Sequence, residues 1–320
     1  MVVEIETIQD IQSPENIRLL REKMETDSYI LVSVNEFTDP TPTPTPPTPP
    51  SNIYHIGETT KLAQQYQTTL NSLFGKMVAY EAEGGGRLFQ DIVPSLSQTN
   101  CQTSLSSLTE LEIHTEQAFS ELRPDYISLA CLKGNPEAKT YVLFLDTLLQ
   151  HLTEKQINLL QQPLWMTNVD ESFLESSARN TNNNNNIINN IDTMGNNYNI
   201  IMENQLLSQP RGPLSILQKD KTEMVFDQNL MYGITLETDT LIDIIIDIYY
   251  QYRQTFILKP GDIFILNNRR AVHGRSSFQP RFDRQDRFLI RSFIMNELNY
   301  KSTEWARDKE TNQMVLAKYS

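Results

Sequence analysis

The chain has 320 residues, a formal charge of −13 and two cysteines. That acidic balance argues against nonspecific nucleic-acid binding and against docking on anionic membranes, since both need clustered Lys and Arg. An acidic surface mainly keeps a protein soluble and only weakly favours a cationic small molecule. Two cysteines, Cys101 and Cys131, are too few for a disulfide framework and fit a reducing compartment; both are expected to be inert, buried or half-buried thiols. Met1–Asp10 holds acids and no long apolar run, so no signal peptide is expected and a cytoplasmic location is. The most apolar stretch, Leu241–Tyr250, contains Asp243 and Asp247 and is far shorter than the ~20 residues of a spanning helix.

In chain order, Ser13-Pro14-Glu15 reads as a helix start, because Ser can cap and Pro fits a first turn. Ile17, Leu19, Leu20 and Met24 follow at helical spacing. Ser28–Val34 predicts a strand. Thr41–Ser51 is a Thr/Pro tract that cannot pack as helix or central strand, so an extended surface loop is expected. Thr59–Phe74 predicts a second helix with Leu62, Tyr66, Leu70 and Leu73 on one face.

From Leu88 to Thr140 the chain turns β-like, with the clearest strands at Leu88–Val93 and Tyr126–Leu132. Phe144–Leu160 predicts one or two short helices. Asn180–Asn199 is dominated by Asn, which favours turns and solvent. Asp239–Tyr252 has the length of a helix. Next come an expected hairpin, with strands Thr255–Leu258 and Ile263–Leu266 about a Lys259-Pro260-Gly261-Asp262 type II turn, and a last strand over Arg287–Ile294. Helices first, then many strands with a helical interruption, predict a mainly β fold with flanking helices: a double-stranded β-helix, or jelly roll, of cupin-like kind. The chain is read as one domain over 1–320 with flexible insertions at 40–51 and 178–200. Gly84-Gly85-Gly86 is not followed by a helix start, so a loop beside the site is expected there rather than a phosphate cradle.

The chemistry sits in two segments. Glu112-Ile113-His114-Thr115-Glu116 offers a His-x-Glu pair, and Asn268-Arg269-Arg270-Ala271-Val272-His273 a distant His, with Arg287 fourteen residues beyond it. Residues i and i+2 of an extended segment share a face, so His114 and Glu116 can bind one metal together and His273 can complete the set. Two imidazoles and one carboxylate suit non-haem iron(II) and leave coordination positions open. An Arg on a neighbouring strand can clamp a carboxylate in bidentate fashion. A lone strand His is more often structural than a ligand, and a lone Arg more often a salt-bridge residue; the combination is what points to an oxygen-using enzyme. His55 and His151 lack such company and are expected at the surface. Glu83 and Gln90 precede the metal segment and can line its pocket.

Taken in order, His114-Thr115-Glu116-Gln117-Ala118-Phe119, Arg123-Pro124-Asp125-Tyr126, Pro260-Gly261-Asp262, Val272-His273-Gly274-Arg275 and Asp286-Arg287-Phe288-Leu289-Ile290-Arg291 resemble the clavaminate synthase-like branch of the iron(II)/2-oxoglutarate dioxygenases. That branch includes hydroxylases of free arginine, asparagine and lysine. The resemblance runs roughly from Leu88 to Leu298, with gaps. It implies that His114, Glu116 and His273 bind Fe(II), and that Arg287 and Thr140 hold the distal carboxylate of 2-oxoglutarate. Arg291 would meet the substrate's carboxylate and Asp227 its cationic end, while Glu83 is a substrate-binding candidate by its place before the metal segment. The implied reaction consumes 2-oxoglutarate and O2, releases succinate and CO2, and hydroxylates an unactivated carbon of a free L-amino acid, arginine or lysine foremost. Related halogenases lack the carboxylate ligand, so Glu116 favours hydroxylation.

The sequence departs from the family pattern at its two low-complexity tracts, at Phe288, where Trp is common, and at Ser276-Ser277, where a Pro is frequent. The expected partner is a small-molecule amino acid, with neither nucleic acid nor membrane. Two rivals stay open on sequence: a catalytically silent jelly-roll metal- or ligand-binding protein, and a cupin-type metal-dependent hydrolase or isomerase, which would have no use for Arg287.

Overall fold

The computed structural model describes residues 2–34, 44–46, 58–80, 83–170 and 209–296, together with two short strands at 305–307 and 314–316. The expected insertion at 178–200, most of that at 40–51, and His55 lie outside these residues.

The chain opens with β1 (Val3–Ile5), α1 (Ile8–Ile11) and α2 (Pro14–Asp27). Ser13 caps α2 by accepting from the Asn16 N–H, and Ser28 ends it in the left-handed region at φ 61. There follow β2 (Tyr29–Val34), α3 (Glu58–Asn71), β3 (Lys76–Val78), β4 (Gln90–Ile92), β5 (Leu111–His114), β6 (Tyr126–Lys133) and β7 (Thr140–Phe144). The helical interruption is α4 (Leu145–Gln150) and α5 (Glu154–Leu160), then β8 (Trp165–Thr167), β9 (Arg211–Leu214), β10 (Met231–Gly233) and α6 (Leu236–Tyr252). Helix α6 begins three residues earlier than expected because Thr235 and Thr238 form its capping box. Leu241, Ile242, Ile245, Ile248 and Tyr249 make its buried face, leaving Asp243 and Asp247 on the solvent side. The described chain closes its core with β11 (Gln254–Phe256), β12 (Asp262–Asn267), β13 (Ala271–Arg275) and β14 (Phe288–Met295). Among the described residues, no helix is long and apolar enough to cross a membrane.

Two sheets make the jelly roll. The larger runs β1-β2-β12-β6-β14-β3, with β4 also on β14; the smaller runs β11-β7-β13-β5. A third, small sheet, β10-β8-β9, stands apart. Phe264 and Leu266 of β12, Cys131 of β6 and Leu289 of β14 meet Val142 and Phe144 of β7 and Ala271 of β13 between the two main sheets. Helices α2 and α3 cover the outer face of the larger sheet through Leu20, Met24, Tyr66 and Leu70. Helices α4 to α6 cover the smaller sheet through Leu148, Ile157 and Ile245. Strand β14 is buried along its whole length because both of its faces are covered, so truncating Ile290 to Ala would cost about 2–5 kcal/mol.

The expected hairpin at 255–266 is not one. The turn itself is present: Asp262 N–H donates to the Lys259 carbonyl at 2.9 Å, and Gly261 has φ +97. Its two strands part, however; β11 pairs with β7 in the smaller sheet, while β12 pairs with β2 and β6 in the larger. In a jelly roll such a turn crosses between sheets, and local turn chemistry does not say where the strands go next. A Cβ at Gly261 would stand 2.6 Å from the Val34 carbonyl oxygen, so this position needs glycine for space as well as for conformation. The Thr/Pro tract also departs from a plain surface loop. Thr45 and Pro46 are buried, and Thr45 donates its N–H to the Arg284 carbonyl and its hydroxyl to that of Asp286. Thr45 therefore braces the segment leading into Arg287.

Candidate active site

Strand β5 lies at one edge of the smaller sheet, next to β13. Antiparallel register sets His273 directly opposite His114. The strands approach closely at Gly274, where a Cβ would stand 2.5 Å from the Leu111 carbonyl oxygen. The outer edge of the metal segment is satisfied piecewise. Gln102 donates to the Glu110 carbonyl at 3.1 Å and accepts from Glu112 N–H at 3.0 Å. Residues 226–228 then take over, with Thr115 N–H donating to the Phe226 carbonyl and Gln228 N–H to that of Ile113.

One donor atom each from His114, Glu116 and His273 lies within 4.8 Å of the others. His114 Nδ1 is 2.8 Å from the Glu112 carbonyl, so Nδ1 carries the proton and Nε2 keeps its lone pair for a metal. His273 Nε2 stands 3.8 Å from Glu116 Oε2, too far for a hydrogen bond. Burial, and then the proximity of His114 and Arg291, hold the His273 imidazole well below its usual range and therefore neutral. Neutral imidazoles and a carboxylate suit a ferrous ion, and no other group of three His, Cys, Asp or Glu side chains among the described residues is so placed.

An inner cavity adjoins this cluster, lined by Thr140, Arg275, Arg287, Leu289 and Arg291 as well as the two histidines. Strand parity explains the lining. Leu289 and Arg291 lie on the inner face of β14, with Arg287 just before that strand, Thr140 lies on that of β7, and His273 and Arg275 on that of β13. Arg287 is buried, and among the described residues its guanidinium has neither a hydrogen bond nor an ion pair. Burial alone pushes it down to about 10. Burial, with Arg287 close by, pushes Arg275 to about 9, although Arg275 donates to the Ser106 and Thr109 carbonyls. The acid that lines this cavity, Glu116, is engaged by Arg291, so the buried cations Arg275 and Arg287 form a site for an anion.

An outer pocket opens on the other side of the cluster and is lined by Glu83, Glu112, Asp170 and Asp227 together with Gln102, Thr103 and Asn229. Asp227 Oδ1 accepts from the backbone N–H groups of Asn229 and Leu230 at 2.9 and 2.8 Å. Burial raises its carboxyl, while His114 and those two donors oppose the rise. Glu83 is raised to about 7 by burial, against the pull of Arg291 and with added repulsion from Glu116. Arg291 donates to Glu116 Oε1 at 3.0 Å, to Gln90 Oε1 at 2.7 Å and to Glu83. It borders both cavities, but here it bridges protein acceptors. Gln90 therefore acts on the site through Arg291.

Sequence reasoning missed Asp170, Gln102, Arg275 and Asn268. Asn268 opens the segment that carries His273, but nothing local announces what its amide reaches. Cys131 is a buried thiol pushed up to about 12, whereas Cys101 is exposed rather than buried. His151 lies at the surface, stacked on Tyr252 with ring centroids 3.6 Å apart.

Comparison with known proteins agrees with this geometry. The profile of the family "Taurine catabolism dioxygenase TauD, TfdA family" matches residues 217–292. The L-lysine 3-hydroxylase of Catenulispora acidiphila is 45% identical over 251 residues, covering 78% of this chain and 63% of that protein. The L-asparagine oxygenase of Streptomyces coelicolor is 27% identical over 225 residues, covering 69% of this chain and 58% of that protein. The chain thus spans less than two thirds of the length of these relatives. Among solved structures, an asparagine oxygenase in complex with Fe(II), 2S,3S-3-hydroxyasparagine and succinate superposes with a TM-score of 0.73 at 21% identity, covering 98% of both chains; this likeness shows a shared fold.

Proposed function

We propose, from the match of residues 217–292 to the TauD/TfdA dioxygenase family and the 45% identity to an L-lysine 3-hydroxylase, that the chain is an iron(II)- and 2-oxoglutarate-dependent hydroxylase of a free L-amino acid with a basic side chain, lysine first. One observation carries the reading. Two imidazole donors and a carboxylate converge between a cavity that presents a buried guanidinium with no partner among the described residues and a pocket walled by acids. A metal-dependent hydrolase has no use for the first, and a neutral or acidic substrate has no use for the second. The 45% identity to a lysine 3-hydroxylase supports lysine over arginine.

His114, Glu116 and His273 would hold the iron. Bound iron and 2-oxoglutarate would supply the oxidising chemistry, in which O2 is consumed, succinate and CO2 are released and a C–H bond becomes C–OH. The rest falls to side chains of this chain. Arg287 clamps the distal carboxylate of 2-oxoglutarate, and the Thr140 hydroxyl donates to it. Leu289 and Leu111 keep that cavity poor in water. Asp227 and Glu83 take the substrate's cationic end, with Asp170 on the same wall. Arg291 exchanges one of its protein acceptors for the substrate's α-carboxylate. Residues 1–320 would work as one domain, in a reducing, cytoplasmic compartment.

The test is 2-oxoglutarate turnover with each of the twenty amino acids plus ornithine, reading succinate and a product heavier by one oxygen. Lysine is expected to stimulate most, then ornithine and arginine. Absence of stimulation by any of them would sink the substrate assignment.

A further inference from the structure

Glu116 lies beyond the end of β5, so no ladder of that strand fixes its backbone. A carboxamide side chain can satisfy one residue's N–H and C=O together, much as a neighbouring strand would. Asn268 does this. Its Oδ1 accepts from Glu116 N–H at 2.8 Å, and its Nδ2 donates to the carbonyls of Glu116 at 3.2 Å and Pro124 at 2.8 Å. Asn268 is fully buried, in the turn between β12 and β13 and five residues before His273.

The clamp is itself anchored. Asn268 N–H donates to the Asp125 carbonyl at 2.8 Å. The Asp125 carboxylate accepts from Arg269 Nε and from Asn296 N–H, and Arg269 reaches on to Glu223. Every hydrogen of the Asn268 amide is thus used on the segment 116–124, while its backbone belongs to the connection that delivers His273.

We propose that Asn268 is the positioning residue for Glu116: it sets the carboxylate against His273, so that the metal meets a preformed site. The proposal rests on Glu116 being a metal ligand, and on no particular substrate or turnover. It also accounts for the buried asparagine at the start of Asn268-Arg269-Arg270-Ala271-Val272-His273, where an apolar residue would otherwise pack.

The probe is Co(II), whose affinity for the full chain is measured by competition with a chromophoric chelator. Asn268→Ser and Asn268→Asp both remove the two donated bonds. Each is expected to weaken Co(II) binding by about 10–100-fold, the usual effect of losing an outer partner of a metal ligand. Trp165→Phe, which gives up the buried bond from Nε1 to the Thr238 carbonyl at a residue that lines neither cavity, controls for lost stability and should leave affinity unchanged. Asn268 variants that stay within about threefold of the unaltered chain, or a Trp165→Phe loss as large as theirs, overturn the proposal. Should neither Asn268 variant fold, amide exchange in the unaltered, metal-free chain decides: Glu116 N–H is expected to be as protected as Gly274 N–H, and fast exchange at Glu116 alone overturns the clamp. If the unaltered chain binds no Co(II), the proposed function fails first, and the exchange experiment still judges the clamp.

Discussion

His114 and His273 are direct cross-strand partners on β5 and β13, with ring centroids 4.4 Å apart. The spacing of one antiparallel pair therefore sets the distance between two imidazoles that are 159 residues apart in sequence. Replacing either with Ala should lower metal affinity by more than the roughly 100-fold that an outer partner commands, with the far-ultraviolet dichroism unchanged. Gly274→Ala removes no donor, yet its Cβ meets Leu111 backbone. It should weaken metal binding by parting the strands. Unaltered affinity in Gly274→Ala would show that strand spacing does not govern the site.

Arg287 sets function against stability. A buried cation without a partner costs folding free energy that a bound carboxylate offsets. Arg287→Met should raise the 2-oxoglutarate KM by roughly 30-fold or more, about 2 kcal/mol or above for a buried charge pair, and affect kcat less. Without 2-oxoglutarate the same variant should melt no lower than the unaltered chain. A clear fall in Tm would mean that Arg287 serves the fold. Thr140→Val should cost about 1 kcal/mol, near fivefold in the same KM.

In the proposed site Asp227 would offer the substrate its second carboxylate oxygen, since Oδ1 is engaged by two backbone donors. Asp227→Asn should reduce kcat/KM for lysine by about 100-fold, in the range for a lost buried ion-pair partner. The residual turnover of an uncharged analogue such as norleucine should change little. Equal losses for both would assign Asp227 to holding the backbone of 226–230 and not to substrate.

The proposed role of Glu83 at the substrate's cationic end would give binding a pH dependence. Burial, the largest cause, raises its carboxyl to about 7; the group is neutral below that value and anionic above it. Lysine keeps its side-chain charge throughout, with a reference value of ~10.4. The KM for lysine should therefore fall as pH rises from about 6 to about 8, and Glu83→Gln should flatten that slope. A slope that survives in Glu83→Gln would remove Glu83 from the substrate's cationic end.

Some of this was legible locally. Ser13-Pro14 announced α2 because capping is a contact three residues long. A period of two along the expected strand Arg287–Ile294 sets Arg287 and Arg291 on one face, and the His-x-Glu spacing sets two donors at one strand end. The turn at 259–262 was legible as well, but not its consequence, because strand pairing at either side is decided by partners more than a hundred residues away. Asn268 and Asp170 carry no signal of their own. An asparagine beside two arginines reads as a turn, and its grip on Glu116 exists only once the two loops meet.

Residue types and spacings determined by themselves that this is a mainly β chain with a His-x-Glu, a distant His and a following Arg, because strand periodicity and metal-ligand chemistry are local properties. The tertiary structure decided that Arg287 has no ion-pair partner among the described residues, that Arg291 spans Glu116 and Glu83, and that Asp227 shares a bridge with His114. Those are facts about which groups share a desolvated space. Burial strengthens every such pairing, and chain order does not encode it.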